Sequence, residues 1–286
     1  MDIHSATEKQ VSNQDPAGWA DALGRVHRPW DGEARIVSLV PSLTELVWDL
    51  GLGPQLVGRT GFCIHPREGL RAVPKVGGTK DVKIETVRRL APTHLLVNID
   101  ENRQETVDAL AKFVPQVIVT HPCRPEDNFG LYALLGGVFR REEVAGPLAA
   151  ELSAALQDAQ DVGVRFPPER VLYLIWRAPW MTVARSTYIS ACLATVGWHS
   201  WPPVEAPRYP AFDWSDGWVS EIDRVLLSSE PYRFRPKHLA EVMAACGRPA
   251  QLVDGEVCSW YGSRAIQGLR ALAALRVQLA AGDVGA

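Results

Sequence analysis

The segment Glu142 to Gln160 separates two stretches in which short apolar runs alternate with helix-like sequence. It reads EEVAGPLAAELSAALQDAQ, rich in Ala and Leu, and Val144, Leu148, Leu152, Ala155 and Ala159 repeat at helical spacing. A helix of this length, rising about 1.5 Å per residue, can bridge two lobes. Pro167 and Pro168 then end it. A chain built this way is constrained to two α/β units on either side of one rigid connection.

The first unit opens at Arg35-Ile36-Val37-Ser38-Leu39-Val40, a continuous apolar run that fits a buried parallel strand. Pro41 stops it, because proline has no N–H for a ladder. Ser42-Leu43-Thr44-Glu45 has the spacing of a capping box, and Leu43, Leu46, Val47 and Leu50 share a helix face, with Gly51 at the C-cap. Further strands are expected at 55–58, 94–97 and 116–119, with helices at 84–90 and 103–113. The second unit repeats the pattern, with strands at 170–176, 224–228 and 251–253. Its helices are expected at 186–196, 236–246 and 263–279. Such alternation predicts parallel sheets flanked by helices, with ligands bound beyond the strands' carboxyl ends.

Before Arg35 the chain is polar and aperiodic, anchored only by Trp19 and Trp30, and reads as an extension draped on the body, helical in part over 16–25. The expected organisation is therefore an extension over 1–33, an N-terminal lobe over 34–140, the linking helix over 141–163 and a C-terminal lobe over 164–286.

Charge narrows the partners. Lys plus Arg number 30 against 33 Asp plus Glu, giving a net charge of −3, so no global basic field exists to gather nucleic acid or anionic membrane. No stretch approaches the roughly 18 apolar residues of a membrane helix, so the chain is not expected to be membrane-embedded. The N-terminal residues lack the basic and apolar regions of a secretory signal, which points to the cytoplasm. A misassigned start would make it the periplasm. The 5 cysteines are an odd set without a CxxC pair, as expected of reduced thiols.

The common catalytic signatures are missing: no GxSxG elbow, Walker loop, HExxH or GxGxxG is present. Gly77-Gly78-Thr79-Lys80 reads as a tight turn beside a cleft. Cys63 and His65 carry metal-ligating side chains two residues apart, but a structural zinc site needs further ligands and none follows nearby. His94, opening an apolar strand, reads as a hydrogen-bonded core histidine. Glu101, Glu105 and Asp108 read as solvated residues of an exposed helix.

Aromatic residues are more informative. Of 10 Trp and 6 Tyr, most lie between Tyr173 and Tyr261, many in loops: Trp176-Arg177-Ala178-Pro179-Trp180, Trp201, Tyr209, Trp214, Trp218, Trp260 and Tyr261. Rigid rings on loops suit a broad, flat, largely apolar ligand, with Arg177, Arg185 or Arg264 placed for its polar edges. For Arg264 two roles stand open: a donor to the ligand, or a partner of Glu256 or Asp254 that holds its own loop.

Several of these stretches resemble the cobalamin and iron-siderophore binding proteins of ABC importers, the helical-backbone metal receptors. The resemblance rests on Arg35-Ile-Val-Ser-Leu-Val-Pro-Ser-Leu-Thr-Glu-Leu, Leu56-Val-Gly-Arg-Thr, Val76-Gly-Gly through Ile84-Glu-Thr-Val, and Ala91-Pro-Thr-His-Leu-Leu-Val. It continues in Tyr173-Leu-Ile-Trp-Arg-Ala-Pro-Trp, Leu226-Leu-Ser-Ser-Glu-Pro-Tyr and Val253-Asp-Gly-Glu-Val-Cys-Ser-Trp-Tyr-Gly-Ser-Arg. It implies an α/β fold of two Rossmann-like lobes joined by one long rigid helix, with the ligand cleft between them. It also implies a non-catalytic role, no required cofactor, and a corrinoid or other metal chelate as ligand. Phe62 matches a ring that contacts the ligand, Trp176 to Trp180 match a second contact loop, and Thr79 stands where the cobalamin receptor has a tryptophan. Such receptors dock on an ABC permease through one acidic residue per lobe. Glu85 matches the first, and Asp216, beside Ser215, lies near the second.

The expected binding set is thus Phe62, Thr79, Trp176, Arg177, Trp180, Tyr209, Trp260, Tyr261 and Arg264. The competing readings are a metal- or thiol-dependent enzyme using Cys63, His65 and Cys258, and a regulatory scaffold without a ligand.

Overall fold

The computed structural model describes residues 18–283. Two four-stranded parallel sheets form its frame. The N-terminal sheet contains β3 (Ile36–Ser38), β4 (Leu56–Arg59), β5 (His94–Asn98) and β6 (Gln116–Thr120), in the order β4-β3-β5-β6. The C-terminal sheet contains β7 (Glu169–Leu174), β10 (Trp198–Ser200), β12 (Arg224–Ser228) and β13 (Ala250–Val253), in the order β10-β7-β12-β13. In each lobe the first strand is central, the second pairs on one side, and the third and fourth on the other. The lobes therefore repeat one topology, and each has a switch point, between β3 and β5 and between β7 and β12.

Helices α1 (Pro41–Val47), α2 (Ile84–Arg89) and α3 (Gln104–Ala111) connect the first sheet; α6 (Tyr188–Thr195) and α7 (Lys237–Cys246) connect the second. The lobes are joined by α5 (Glu142–Arg165), packed between α4 (Asp127–Val138) and α9 (Arg264–Asp283). A short α8 (Gly255–Ser259) precedes α9.

Strand alternation divides the core. Val37, Leu95 and Val117 face one side of the N-terminal sheet, while Ile36, Leu96 and Ile118 face the other. Leu172, Val225 and Leu227 likewise face away from Val171, Tyr173 and Leu226. The inner faces of both sheets belong to one continuous apolar cluster that includes Leu152, Ala155, Leu156 and Ala159 of α5. Each fully buried aliphatic side chain stabilises by roughly 1.5–3 kcal/mol. A shared core of this kind holds the lobes as one packed body, with little freedom to hinge.

The structure corrects several local expectations. The capping box at Ser42–Glu45 does not form. Pro41 takes the first helical position, Val40 is the N-cap without a side-chain bond, and Thr44 Oγ1 donates to the Val40 carbonyl at 2.8 Å. Glu45 is thereby released for another partner. The 16–25 helix is also absent over its described part. Instead β1 (Trp19–Ala20) pairs with β2 (Val26–His27), and the Ala22 N–H donates to the Val119 carbonyl at the sheet edge (2.9 Å); residues 16 and 17 lie outside the described residues. Trp19 packs against Gly137, where no larger residue fits.

The expected strand 170–176 is two elements. It stops at Leu174, and Trp176 opens a separate antiparallel sheet of β8 (Trp176–Arg177), β9 (Trp180–Met181) and β11 (Ala211–Phe212). Helix α4 has no counterpart among the sequence expectations. Its sequence, DNFGLYALLGGV, is apolar nearly all round and lies buried on most of its surface, so no amphipathic stripe marks it.

Candidate interlobe binding site

The carboxyl-end loops of the two sheets meet, and polar pairs join them across the junction. His65, after β4, lies 3.0 Å from Glu256 of α8. Asp100, after β5, accepts from Arg208 Nη2 at 2.8 Å. Its neighbour Glu101 accepts from the Tyr261 hydroxyl at 2.9 Å. Glu45 of α1 receives Nε and Nη2 of Arg264 at 2.7 and 2.6 Å. The loop at Gly262 is fixed from the N-terminal side as well, since the Tyr132 hydroxyl donates to its carbonyl (2.9 Å) and its N–H donates to Asn128 Oδ1 (2.6 Å).

The switch points each present a carboxyl group. Glu101 follows β5, and Glu230 follows β12. Glu101 is not on an exposed helix, as its sequence suggested: it sits in a turn before α3, and burial pushes its carboxyl up to about 7 against the opposing effect of the Tyr261 hydrogen bond. Glu230 accepts from Trp260 Nε1 at 2.9 Å and Ser259 Oγ at 2.7 Å, and burial raises it too. The charge of Glu230 adds to the rise at Glu101. No local pattern in the sequence marks this pair; only the strand order brings it together.

The nine expected binding residues divide into three groups. Phe62 is 63% exposed and Trp176 and Tyr209 are each 40% exposed, all on carboxyl-side loops. Phe62 lies over Gly78, whose added Cβ would come within 3.3 Å of its ring. Gly77 adopts φ +117° in that turn, a conformation that favours glycine. Thr79, half-buried in the same turn, offers its carbonyl to Asn102 Nδ2 at 3.1 Å.

Trp260 and Tyr261 are buried within the lobe junction itself. The Trp260 ring meets His65 edge-on at 5.4 Å, and the Tyr261 ring meets Tyr188 at 5.9 Å. Arg264 lies between Glu45 and Glu256, the latter 3.2 Å from Nη1, and 5.0 Å over the Trp260 ring. Its geometry is that of an interlobe tie, reaching the expected Glu256 and also Glu45.

Trp180 and Arg177 turn into the C-terminal lobe. Trp180 stacks on Phe234 and meets Trp214 edge-on. Arg177 forms a forked pair with Glu241 at 2.7 and 3.3 Å. Trp180 is not gathered with Trp260 and Tyr261, because the β8–β9 hairpin directs it onto the outer core, and Arg177 lies 5.7 Å over its ring.

Cys63 is buried beneath the site. Its Sγ lies 3.0 Å from Thr44 Oγ1, whose own proton goes to the Val40 carbonyl, and burial pushes the thiol up despite nearby Arg59. Cys258 is pushed up to about 12, again by burial. Among the described residues, no group of three or more His, Cys, Asp and Glu side chains could hold a metal ion, so Cys63 and His65 do not join into a centre. His94 fits its expectation: it bonds Thr93 at 2.8 Å between Trp30 and Phe139, and burial lowers it to about 4. Glu85 is exposed on α2 beside Arg88, and Asp216 accepts from the Asp213 N–H at 3.1 Å.

Comparison with known proteins places this geometry. The sequence model of the family described as periplasmic binding protein matches residues 36–214. A vitamin B12-binding protein of Photorhabdus laumondii is 24% identical over 171 residues, 60% of this chain; the match spans only 62% of that protein's length. The solved periplasmic vitamin B12 binding protein of Vibrio cholerae superposes with a TM-score of 0.74 at 18% identity, covering 85% of this chain and 97% of that one. A periplasmic haem-binding protein from Pseudomonas aeruginosa gives a TM-score of 0.72 at 20% identity, covering 85% and 92%. At these identities the solved structures establish the bilobal, helix-linked fold. The cytoplasmic placement expected from the N-terminal residues finds no support among these periplasmic proteins, and among the described residues no helix is long and apolar enough to cross a membrane.

Proposed function

The chain belongs to the periplasmic binding protein family, and from that premise we propose that it is a non-catalytic receptor for a corrinoid or another metal chelate of similar breadth. The ligand lies between the lobes, beyond the carboxyl ends of both sheets. One observation carries this reading: open aromatic surface on both sides of the junction, from Phe62 in one lobe and Trp176 and Tyr209 in the other. Covering such rings with a flat apolar ligand releases water from both surfaces, at roughly 25 cal/mol per Å². Relatives and structural neighbours named for vitamin B12 and for haem support a macrocyclic ligand. Thr79, small where a tryptophan is expected by resemblance, leaves room in the N-terminal wall and favours a ligand other than cobalamin itself. Glu85 and Asp216 are the acidic contacts through which the receptor meets an ABC permease on the periplasmic side.

Thermal unfolding with cyanocobalamin and with haemin tests the reading. A ligand at one hundred times its Kd adds about 2.7 kcal/mol of stability. Absence of any shift with either compound overturns it. No observation favours the thiol- or metal-dependent enzyme weighed from the sequence, since Cys63 is buried and its thiol raised.

A further inference from the structure

The arginines near the junction are committed to different degrees. Arg177 spends its fork on Glu241, and Arg264 spends three nitrogens on Glu45 and Glu256. Arg208 is held differently. Its Nη1 donates to the Ser186 carbonyl at 2.8 Å and its Nη2 to one oxygen of Asp100 at 2.8 Å, while its Nε is buried without a hydrogen-bond partner. The side chain remains 27% exposed, and the Ala184 N–H donates to its carbonyl at 2.8 Å, which fixes its backbone.

Several nitrogen groups converge on Asp100. The same Oδ2 that meets Arg208 lies 3.4 Å from His121 Nε2, and Lys80 Nζ donates to the Asp100 carbonyl at 2.9 Å. Asp100 therefore has a second holder if it releases Arg208. Tyr209, next in the chain, exposes its ring beside this corner. The acidic groups at the floor are already engaged, Glu101 by Tyr261 and Glu230 by Ser259 and Trp260.

We infer that Arg208 is an anion-recognition residue of the cleft, exchanging the single oxygen of Asp100 for a carboxylate on the edge of the ligand. A guanidinium fork gains a second parallel hydrogen bond from a carboxylate presented edge-on, which the present Asp100 contact does not supply. The chelate received here then carries peripheral carboxylates, rather than amides or esters alone. This inference rests on the receptor reading above and adds the chemical class of its ligand.

Haemin and its dimethyl ester form the matched pair for the test, with cyanocobalamin as a third probe. The protein should bind haemin at least about tenfold more tightly than the ester. Arg208→Gln should erase that preference while leaving ester affinity within about threefold. Asp100→Asn, which frees the guanidinium, should tighten haemin several-fold. Circular dichroism melts establish that each variant is folded; if Arg208→Gln is not, the Asp100→Asn arm decides alone, and unchanged or weaker haemin binding by that variant overturns the inference. An Arg208→Gln protein that weakens both ligands alike, or keeps the preference, overturns it as well. If none of the three compounds binds the parent protein, the receptor reading fails and carries this one with it.

Discussion

The Tyr261 hydroxyl of the C-terminal lobe donates to Glu101 of the N-terminal lobe at 2.9 Å, and Glu101 is the junction carboxyl that burial raises to about 7. A carboxyl whose folded pKa exceeds its unfolded value of 4.5 favours the folded state while protonated, so its contribution is complete below pH 4.5 and is lost as pH rises through about 7. The parent protein should lose about 2 kcal/mol between pH 5 and pH 8 through this group, allowing for its partial contact with solvent. Glu101→Gln should flatten that slope in urea unfolding measured across the range. An unchanged slope would show that Glu101 titrates normally.

Arg264 provides the second test. Removing it leaves Glu45 and Glu256 facing each other without their shared cation. Arg264→Ala should lower stability by about 2 kcal/mol or more, because both carboxylates lie in a largely desolvated junction. Glu45→Gln in the same background should recover part of the loss, and a double-mutant cycle should give a coupling above about 1 kcal/mol. Strict additivity would remove Arg264 from the interlobe tie.

Phe62→Ala and Trp176→Ala separate binding from folding. Both side chains are among the most exposed large apolar groups. Each substitution should therefore change stability by no more than about 0.5 kcal/mol. Fluorescence titration with haemin or cyanocobalamin should show weaker binding in both. Large losses in melting temperature with intact binding would assign the rings to the scaffold instead.

The seat of the linking helix can be probed at Gly163. A Cβ added there would stand 2.5 Å from the Thr195 carbonyl and 3.1 Å from the Gly197 nitrogen, so backbone must move. Alanine gains about 1 kcal/mol of helix propensity over glycine but should still destabilise by about 1–3 kcal/mol, measured by denaturant unfolding. Gly146, with open space around its Cα, is the control: Gly146→Ala should stabilise.

Individual elements were legible wherever one face of a strand or helix carried its own signal. Leu43, Leu46, Val47 and Leu50 follow helical spacing, and all four are fully buried. Helix α4 gave no signal because burial on most sides erases the polar–apolar contrast on which periodicity depends. The capping box at Ser42–Glu45 misled because Pro41 supplied a competing start to the helix, leaving Glu45 for a residue far along the chain.

By itself, the sequence determined the two α/β units, the helix between them, and the aromatic loops after the strands, since each depends on neighbours within a few residues. Tertiary structure alone decided that Glu101 meets Tyr261, that Arg264 meets Glu45, and that Arg208 meets Asp100. Those pairs are set by strand order and by the way the two sheets share one layer of helices. A charged side chain carries no local mark of its distant partner, because its preferred contacts are the same for every opposite charge the fold brings within reach.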